Sequence, residues 1–276
     1  MYYYKLCILT FSILICSSNS ILSQGNCLLY VEDSGNRKAC ELSYKALEQK
    51  QGSKESQLLF DQAITVGPDY AYAYYQKSVP FFKRGLFAEG LLLINKAITL
   101  EPQNYLFYRA YYYFYNRSYD LCINDLEELY NQHQASYVTN PGGELEMRIL
   151  LALSHAYEGQ LEKGIDWMLN LMERYKKQPN LIGLFDHYCL GMLYFKNAQY
   201  DLAQLHFNKQ LTVDSDFADT YYYLGMLSEM NSKRAKANEY FKKAWDKMNR
   251  KNGGYSTSFF TEFNTDKASV KMKLLK

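Results

Sequence analysis

The chain has 276 residues, of which 48% are hydrophobic and 22% charged, and its formal net charge is +2. This is the composition of a folded protein rather than a disordered one. Charges of both signs are mixed along the sequence, and no basic stripe indicates binding to nucleic acid. The chain also contains 28 tyrosines. Tyrosine covers apolar area but keeps a polar tip, so it suits half-buried helix faces and contact surfaces.

Residues 1–24 have the three-part pattern of a secretory signal peptide. Lys5 supplies a positive start, residues 6–15 form an apolar run, and a small and polar stretch follows. The run is shorter than the ~20 residues of a membrane-spanning helix, and no later segment of the sequence is a candidate span. We therefore predict export to the periplasm or the extracellular space. Lipid attachment at Cys16 is the alternative, which the bulky Ile15 before it disfavours.

Residues 25–36 form an N-terminal segment that contains one cysteine and ends in a polar turn. Cys27 and Cys40 flank this turn. Because an exported protein meets oxidising conditions, we predict a disulfide between them. Cys122 and Cys189 lie within helical patterns and are predicted to be small buried side chains.

From residue 37 onward, similar residues recur every 34 positions. A period of this length is typical of stacked helix pairs. Chance rarely produces several separate landmarks at one spacing. The pairs that keep it are Ala63 and Ala97, Pro68 and Pro102, Gly191 and Gly225, Ala203 and Ala237, and Phe207 and Phe241.

These residues resemble the tetratricopeptide repeat (TPR), a 34-residue helix-turn-helix. In that family small residues let the two helices of a unit approach closely, and larger ones fill the groove left by the next unit. The resemblance implies an all-α fold, a right-handed α-solenoid of about six TPR-like helix pairs over residues 37–248. The units are predicted to start near Arg37, Ala71, Gln103, Leu145, Leu184 and Ala218.

The period is interrupted after the third unit and ends before the tail. Residues 131–143 contain a Pro-Gly-Gly sequence and are predicted as a loop that lengthens the connection between the third and fourth units. Residues 249–276 form a polar and then apolar–basic tail. A solenoid needs its last apolar face covered, so Phe259, Phe260 and Phe263 are predicted either to fold back as a cap or to belong to a frayed tail.

The sequence contains no recognised catalytic, cofactor-binding or metal-binding motif. Its four histidines form no HExxH motif, and the cysteines form no CxxC motif. His155 and His187 stand at aromatic positions of the repeat and are predicted to pack, whereas His206 is predicted to be partly exposed. We therefore expect neither an enzyme nor a bound cofactor or metal.

In arrays of the TPR family, the first helices line a concave groove in which peptides commonly bind. The resemblance therefore implies a non-catalytic protein–protein interaction scaffold, an adaptor or assembly factor. The signal-like start, the cysteines and the repeats together resemble secreted repeat proteins of Bacteroidetes-type bacteria. Helix geometry predicts which aromatic side chains line the groove, because they lie a turn away from the packed stripe. These are Tyr72, Tyr75, Phe107, Tyr108, Tyr111, Tyr115, Tyr157, Tyr188 and Tyr222.

Tyrosine alone does not identify the ligand of such a groove. A protein segment is the leading expectation. A glycan of an envelope polysaccharide-handling complex is the alternative, because sugars stack on aromatic rings, although the amides and acids that favour sugar binding are scarce at the groove positions. Another subunit is a third occupant that the rings could accept, so the sequence also permits a homo-oligomer.

Overall fold

The computed structural model describes residues 26–249 and 267–274. The predicted signal peptide (1–24) and Phe259, Phe260 and Phe263 lie outside these described residues. Within the described ranges the chain forms thirteen α-helices, and its β-structure is limited to an isolated bridge. The helices are α1 (Gly35–Leu47), α2 (Lys54–Val66), α3 (Ala71–Lys83), α4 (Phe87–Leu100), α5 (Pro102–Tyr115), α6 (Tyr119–Glu127), α7 (Met147–Tyr157), α8 (Leu161–Lys177), α9 (Asp186–Lys196), α10 (Tyr200–Val213), α11 (Ala218–Met230), α12 (Arg234–Met248) and α13 (Lys267–Leu274).

The first twelve helices form six pairs that stack in chain order. Helix α1 packs on α2, α3 on α4, and so on to α11 on α12, while the second helix of each pair also contacts the first helix of the next. First helices meet one another as well, α5 with α7 and α7 with α9. This stacking makes an α-solenoid, so the predicted all-α solenoid of six helix pairs is confirmed.

The 34-residue landmarks mark places where the two helices of a pair touch. A Cβ atom added at Gly191 would lie 2.8 Å from the ring of Phe207, and one added at Gly225 would lie 2.5 Å from the ring of Phe241. Carbon atoms do not approach this closely, so glycine is the residue that fits. The sequence period therefore reflects the repeated close approach of a first helix to its second helix.

Each pair has a tight internal turn that contains one residue in the left-handed region of backbone conformation. Three of these residues are glycines, and the other three carry the strain that side chains impose at positive φ. The shared conformation brings each second helix back alongside the first. The residues and their φ angles are Gly52 (73°), Gly85 (75°), Arg117 (58°), Gly159 (75°), Ala198 (54°) and Ser232 (57°).

A disulfide ties the N-terminal segment to α1. It joins Cys27, at the start of a 3-10 turn, to the buried Cys40, and their Cα atoms are 5.6 Å apart. The predicted pairing is confirmed. Cys122 and Cys189 are buried free thiols, as the helical pattern predicted, and burial raises the pKa of the Cys122 thiol to about 12. A thiol with a raised pKa and no exposed surface is a packing residue rather than a nucleophile.

The repeat is broken between α6 and α7, where the predicted loop is found. Helix α6 continues as a π-helical segment, Glu128–Gln132, and an isolated β-bridge later joins Thr139 to Glu146. Between these points the loop does not extend into solvent, because Tyr137 and Val138 pack against the central hydrophobic core. The insertion is therefore part of the packed structure.

A buried ion pair holds this loop against the array. Glu146 and Arg148 are 1% and 4% exposed, and Arg148 donates to the Glu146 carboxylate through Nη1. The Tyr130 hydroxyl donates to the same carboxylate at 3.0 Å. The guanidinium of Arg148 also donates to the backbone carbonyls of Ala135 and Ser136, at 3.3 Å each. The pair thus joins the π-helical segment, the loop and α7 through charge-assisted hydrogen bonds.

Helix α13 packs on α12 at the C-terminal end of the array. Val270 is fully buried there, against apolar residues of α11 and α12 that include Met248. An ion pair between Lys273 and Glu229 adds a contact to α11. The helix therefore covers part of the last pair, as the end of a solenoid requires.

Candidate functional site

Aromatic side chains of α3 and α5 meet in one surface, which we call the aromatic surface. The ring centroids of Tyr72 and Tyr75 are 6.1 Å apart, and Tyr75 lies 4.0 Å from Tyr108 on the neighbouring helix. Tyr108 is in turn 4.0 Å from Phe107. The structure therefore joins four of the predicted groove residues by ring contacts, and Tyr111 and Tyr115 follow them along α5. The aromatic surface consists of Tyr72, Tyr75, Phe107, Tyr108, Tyr111 and Tyr115.

A hydrogen bond orients one hydroxyl group of this surface. Gln76 Nε2 donates to the Tyr72 hydroxyl at 2.8 Å. A phenolic hydroxyl that accepts one hydrogen bond keeps its own proton for another acceptor. Tyr72 is thus available as a donor at the aromatic surface.

Tyr111 and Tyr115 extend the aromatic surface along α5. Their ring centroids are 4.7 Å apart. Tyr115 is 37% exposed, whereas the other five rings are half-buried. Burial raises the pKa of Tyr111 above its usual value and raises the pKa of Tyr72 to about 12. These phenols are therefore neutral donors at pH 7.

The side chains of the five consecutive aromatic residues from Tyr111 to Tyr115 point to different sides of α5, so some of them remain at the surface. Phe114 is buried in the central core, and Tyr112 stacks on Phe82 with ring centroids 3.8 Å apart. Successive helical residues point about 100° apart, so five consecutive rings cannot all face the core. Tyr115 is the one that is left most exposed.

Helices α7 and α9 are buried along most of their length. Every residue from Met147 to His155 in α7 is buried, and so is every residue from Tyr188 to Tyr194 in α9. Helices α5, α6, α8 and α9 all contact α7, and the packed loop holds its first turn. The middle turns of these two helices therefore expose no side chain that could line the predicted groove.

Three predicted groove residues lie apart from the aromatic surface. Tyr188 is fully buried, and its prediction as a ligand contact was wrong because Phe217, at the entry to α11, packs 4.7 Å from its ring. Tyr157 is half-buried and stacks on Tyr119 with centroids 4.5 Å apart. Tyr222 is half-buried on α11, in the last helix pair.

Helices α9 and α10 bring together two histidines that the sequence did not connect. The Nδ1 atoms of His187 and His206 are 3.3 Å apart. The prediction that His206 is partly exposed was wrong, because it packs against the ring of Tyr194 and is only 8% exposed. The pKa of each imidazole is lowered to about 4, chiefly by burial, with a contribution from the nearby Lys209 to both rings and from His187 to His206. Both rings are therefore neutral at pH 7.

Because of the lowered pKa values of His187 and His206, we predict that the protein is less stable to unfolding at mildly acidic pH. In the unfolded chain a histidine has a pKa of ~6.5, whereas both folded values are about 4. Between these values the unfolded state binds more protons, so the free energy of unfolding falls as the pH drops from 6.5 towards 4. We expect urea unfolding to show a larger decrease from pH 7 to pH 5 for the wild type than for His187→Asn/His206→Asn. Equal decreases would contradict the prediction.

Metal-binding clusters and membrane-spanning helices were sought among residues 26–249 and 267–274. Among these residues, no group of three or more histidine, cysteine, aspartate or glutamate residues could hold a metal ion, and no helix is long and apolar enough to cross a membrane.

The imidazole of His155 is enclosed by the helices around it. His155 is 1% exposed, and its ring nitrogens lie 3.0 Å from Gln160 Oε1 and 3.2 Å from Glu127 Oε1. It therefore packs inside the array, as predicted.

The fold can be compared with solved structures. PilF of Pseudomonas aeruginosa is 13% identical with a TM-score of 0.58, and the match covers 83% of this chain and 97% of PilF. YrrB, a TPR protein, is 17% identical with a TM-score of 0.53, covering 68% of this chain and 91% of YrrB. Yeast Tom70 is 15% identical with a TM-score of 0.52, covering 86% and 47%.

Sequence comparison adds no closer relative. No protein-family model matches the chain, and no curated protein sequence matches it. Identities of 13–17% with solved structures establish the shape of the backbone rather than a shared ligand. From the six stacked helix pairs, the repeated glycine–phenylalanine contacts and these structural matches, the chain has the tetratricopeptide-repeat fold.

Proposed function

We propose that the chain is a non-catalytic scaffold that binds a segment of a partner protein on the aromatic surface. The observation that carries this proposal is the junction of α3 and α5, where half-buried rings from both helices lie 4.0–6.1 Å apart. Rings that are already packed lose little conformational freedom on binding. Aromatic side chains also supply much of the binding energy at protein interfaces. A bound segment would remove the remaining ring area from water.

The comparison with YrrB supports a binding role for this fold. YrrB is described as having an unusual peptide-binding site. Because the identity with YrrB is only 17%, the position of the site in this chain rests on its own residues. We propose the aromatic surface because six rings share it and because the middle turns of α7 and α9 are buried.

We further propose that the scaffold acts as an adaptor or assembly factor outside the cytoplasm. The Cys27–Cys40 disulfide supports this, since such bonds persist in oxidising compartments. The signal-like pattern of residues 1–24 supports it independently. N-terminal sequencing of the protein from its native source tests it, because an exported chain starts after about residue 24. An intact Met1 start on a chain recovered from the cytoplasm contradicts export.

A glycan is the alternative ligand for the same rings. Sugar recognition combines ring stacking with amide or carboxylate groups that bind the sugar hydroxyls. Gln76 supplies an amide beside Tyr72, but its Nε2 already donates to the tyrosine hydroxyl. The surface therefore favours a protein segment, and the glycan is tested beside it.

The proposal is tested by selecting peptides from a displayed random library on the full chain. We expect the selected peptides to bind Tyr72→Ala/Tyr108→Ala at least about tenfold more weakly, because truncating central aromatic residues typically removes more than ~1.4 kcal/mol of binding free energy. Affinity is measured by isothermal titration calorimetry. Circular dichroism of both proteins shows whether the helix content is retained.

A matched control lies on the same helix. Tyr74 is half-buried, and its hydroxyl donates to the Pro68 carbonyl at 3.1 Å, so Tyr74→Ala removes a ring of α3 outside the aromatic surface. It should leave peptide affinity unchanged. Peptides that bind the wild type and the Tyr72→Ala/Tyr108→Ala variant equally well place the site elsewhere and contradict the proposal. A glycan array that gives ligands where the library gives none favours the alternative.

A further inference from the structure

We infer that the aromatic surface selects proline-rich segments in the polyproline II conformation. This inference rests on the proposed function and specifies the class of segment that the same surface would bind. The surface presents a hydroxyl donor and aromatic rings. A proline-rich segment has free carbonyl acceptors and apolar rings, and its prolines lack N–H groups.

The surface presents a hydrogen-bond donor. The hydroxyl of Tyr72 accepts a hydrogen bond from Gln76 Nε2 at 2.8 Å. It therefore keeps its own proton for an acceptor outside the protein. A polyproline II segment has no internal hydrogen bonds, so its carbonyls are available acceptors, and its prolines have no N–H to satisfy.

The surface offers little to the backbone N–H groups of an ordinary extended peptide. It is built on α3 and α5, whose backbone carbonyls are largely used within the helices. Unlike a sheet edge, helices cannot pair with an added strand. An extended segment of ordinary residues would leave N–H groups unpaired where it covers the rings, which is unfavourable. A proline-rich segment avoids this loss.

The apolar rings and the charge near them also favour prolines. The six residues of the aromatic surface are uncharged, and the negative charge of Glu144 lies near Tyr111 at one end. An acidic segment would be repelled by that charge. Pyrrolidine rings are apolar and pack on aromatic side chains, as in other aromatic-lined grooves that bind polyproline II. Such a segment is already extended before binding, so ordering it is less unfavourable than ordering a flexible peptide.

Fluorescence anisotropy tests the inference with a labelled ten-residue polyproline and the full chain. The comparison peptide has the same length, with alanine at every second position, which restores backbone N–H groups and loosens the conformation. We expect polyproline to bind at least about tenfold more tightly than the comparison peptide. Tyr72→Phe keeps the ring and removes the donor, and should weaken polyproline binding about fivefold, the usual net effect of one hydrogen bond.

Tyr74→Phe is the control for this substitution, because it removes a hydroxyl from α3 outside the aromatic surface; it should not change polyproline binding. Equal affinity for the two peptides, or an unchanged affinity in Tyr72→Phe, overturns the inference. In that case the library-selected peptides decide the proposed function separately. If they bind with the expected loss in Tyr72→Ala/Tyr108→Ala, the scaffold role stands without proline selectivity. If they also fail, both proposals fall.

Discussion

Arg148→Met is expected to lower the free energy of unfolding by about 3–5 kcal/mol, the usual effect of removing one partner from a buried ion pair. Glu146 is only 1% exposed, and without Arg148 its carboxylate would keep the Tyr130 hydroxyl but lose its counter-charge. Burial already raises the pKa of Glu146, and the Arg148 guanidinium opposes that rise. The substitution also removes the hydrogen bonds to the carbonyls of Ala135 and Ser136. Urea unfolding followed by circular dichroism measures the change.

Two variants show whether the effect comes from the unpaired charge. Glu146→Met/Arg148→Met removes both charges, and apolar replacement of a whole buried pair is often neutral, so the double variant should recover most of the stability lost by Arg148→Met. Arg37→Met breaks an exposed pair with Glu41 and should change stability by less than ~1 kcal/mol. An Arg148→Met variant as stable as Arg37→Met would contradict the role of the buried pair.

Reduction of the Cys27–Cys40 disulfide is expected to lower the free energy of unfolding by about 3 kcal/mol. The bond closes a loop between residues that are 13 apart in sequence, and a loop of this size restricts the unfolded chain by about that amount in the chain-entropy model. Cys40 is fully buried beside Ala39 and Phe60. Release of Cys27 should therefore loosen α1 first, and faster amide hydrogen exchange in α1 than in α9 would report it.

The matched control is Cys27→Ser/Cys40→Ser, which lacks the disulfide at every redox potential. Its unfolding should resemble that of the reduced wild type and should not respond to added reductant. Cys122 and Cys189 are already free and buried, so the reductant leaves their state unchanged. A wild-type urea midpoint that is the same with and without reductant would show that the bond contributes nothing to stability.

Much of the fold could be predicted from the sequence because each landmark of the repeat has a local cause. Gly191 and Gly225 must be glycine where a first helix touches the phenylalanine ring of its second helix, and this requirement recurs with the 34-residue period. Cys27 and Cys40 are near in sequence and flank one turn, so their pairing needed no knowledge of distant contacts. Buried positions such as Cys122 followed from the same helical pattern.

The exposure of the groove residues was less predictable because it depends on contacts between units. Tyr72 and Tyr188 occupy comparable stretches of first helices, yet Tyr72 is half-buried at the aromatic surface and Tyr188 is fully buried. The difference arises from neighbours, since Phe217 packs on Tyr188. A single-unit pattern contains no information about how closely the next unit approaches.

By itself, therefore, the sequence determined the helix pairs, their order and the disulfide, all of which arise from residues within one unit or one turn. Tertiary structure alone decided that the loop after α6 packs on the core through Tyr137, that His187 meets His206, and that six rings converge on α3 and α5. The physical reason is that these features join residues of different helices. Their distances depend on how the helices pack, which the 34-residue period does not specify.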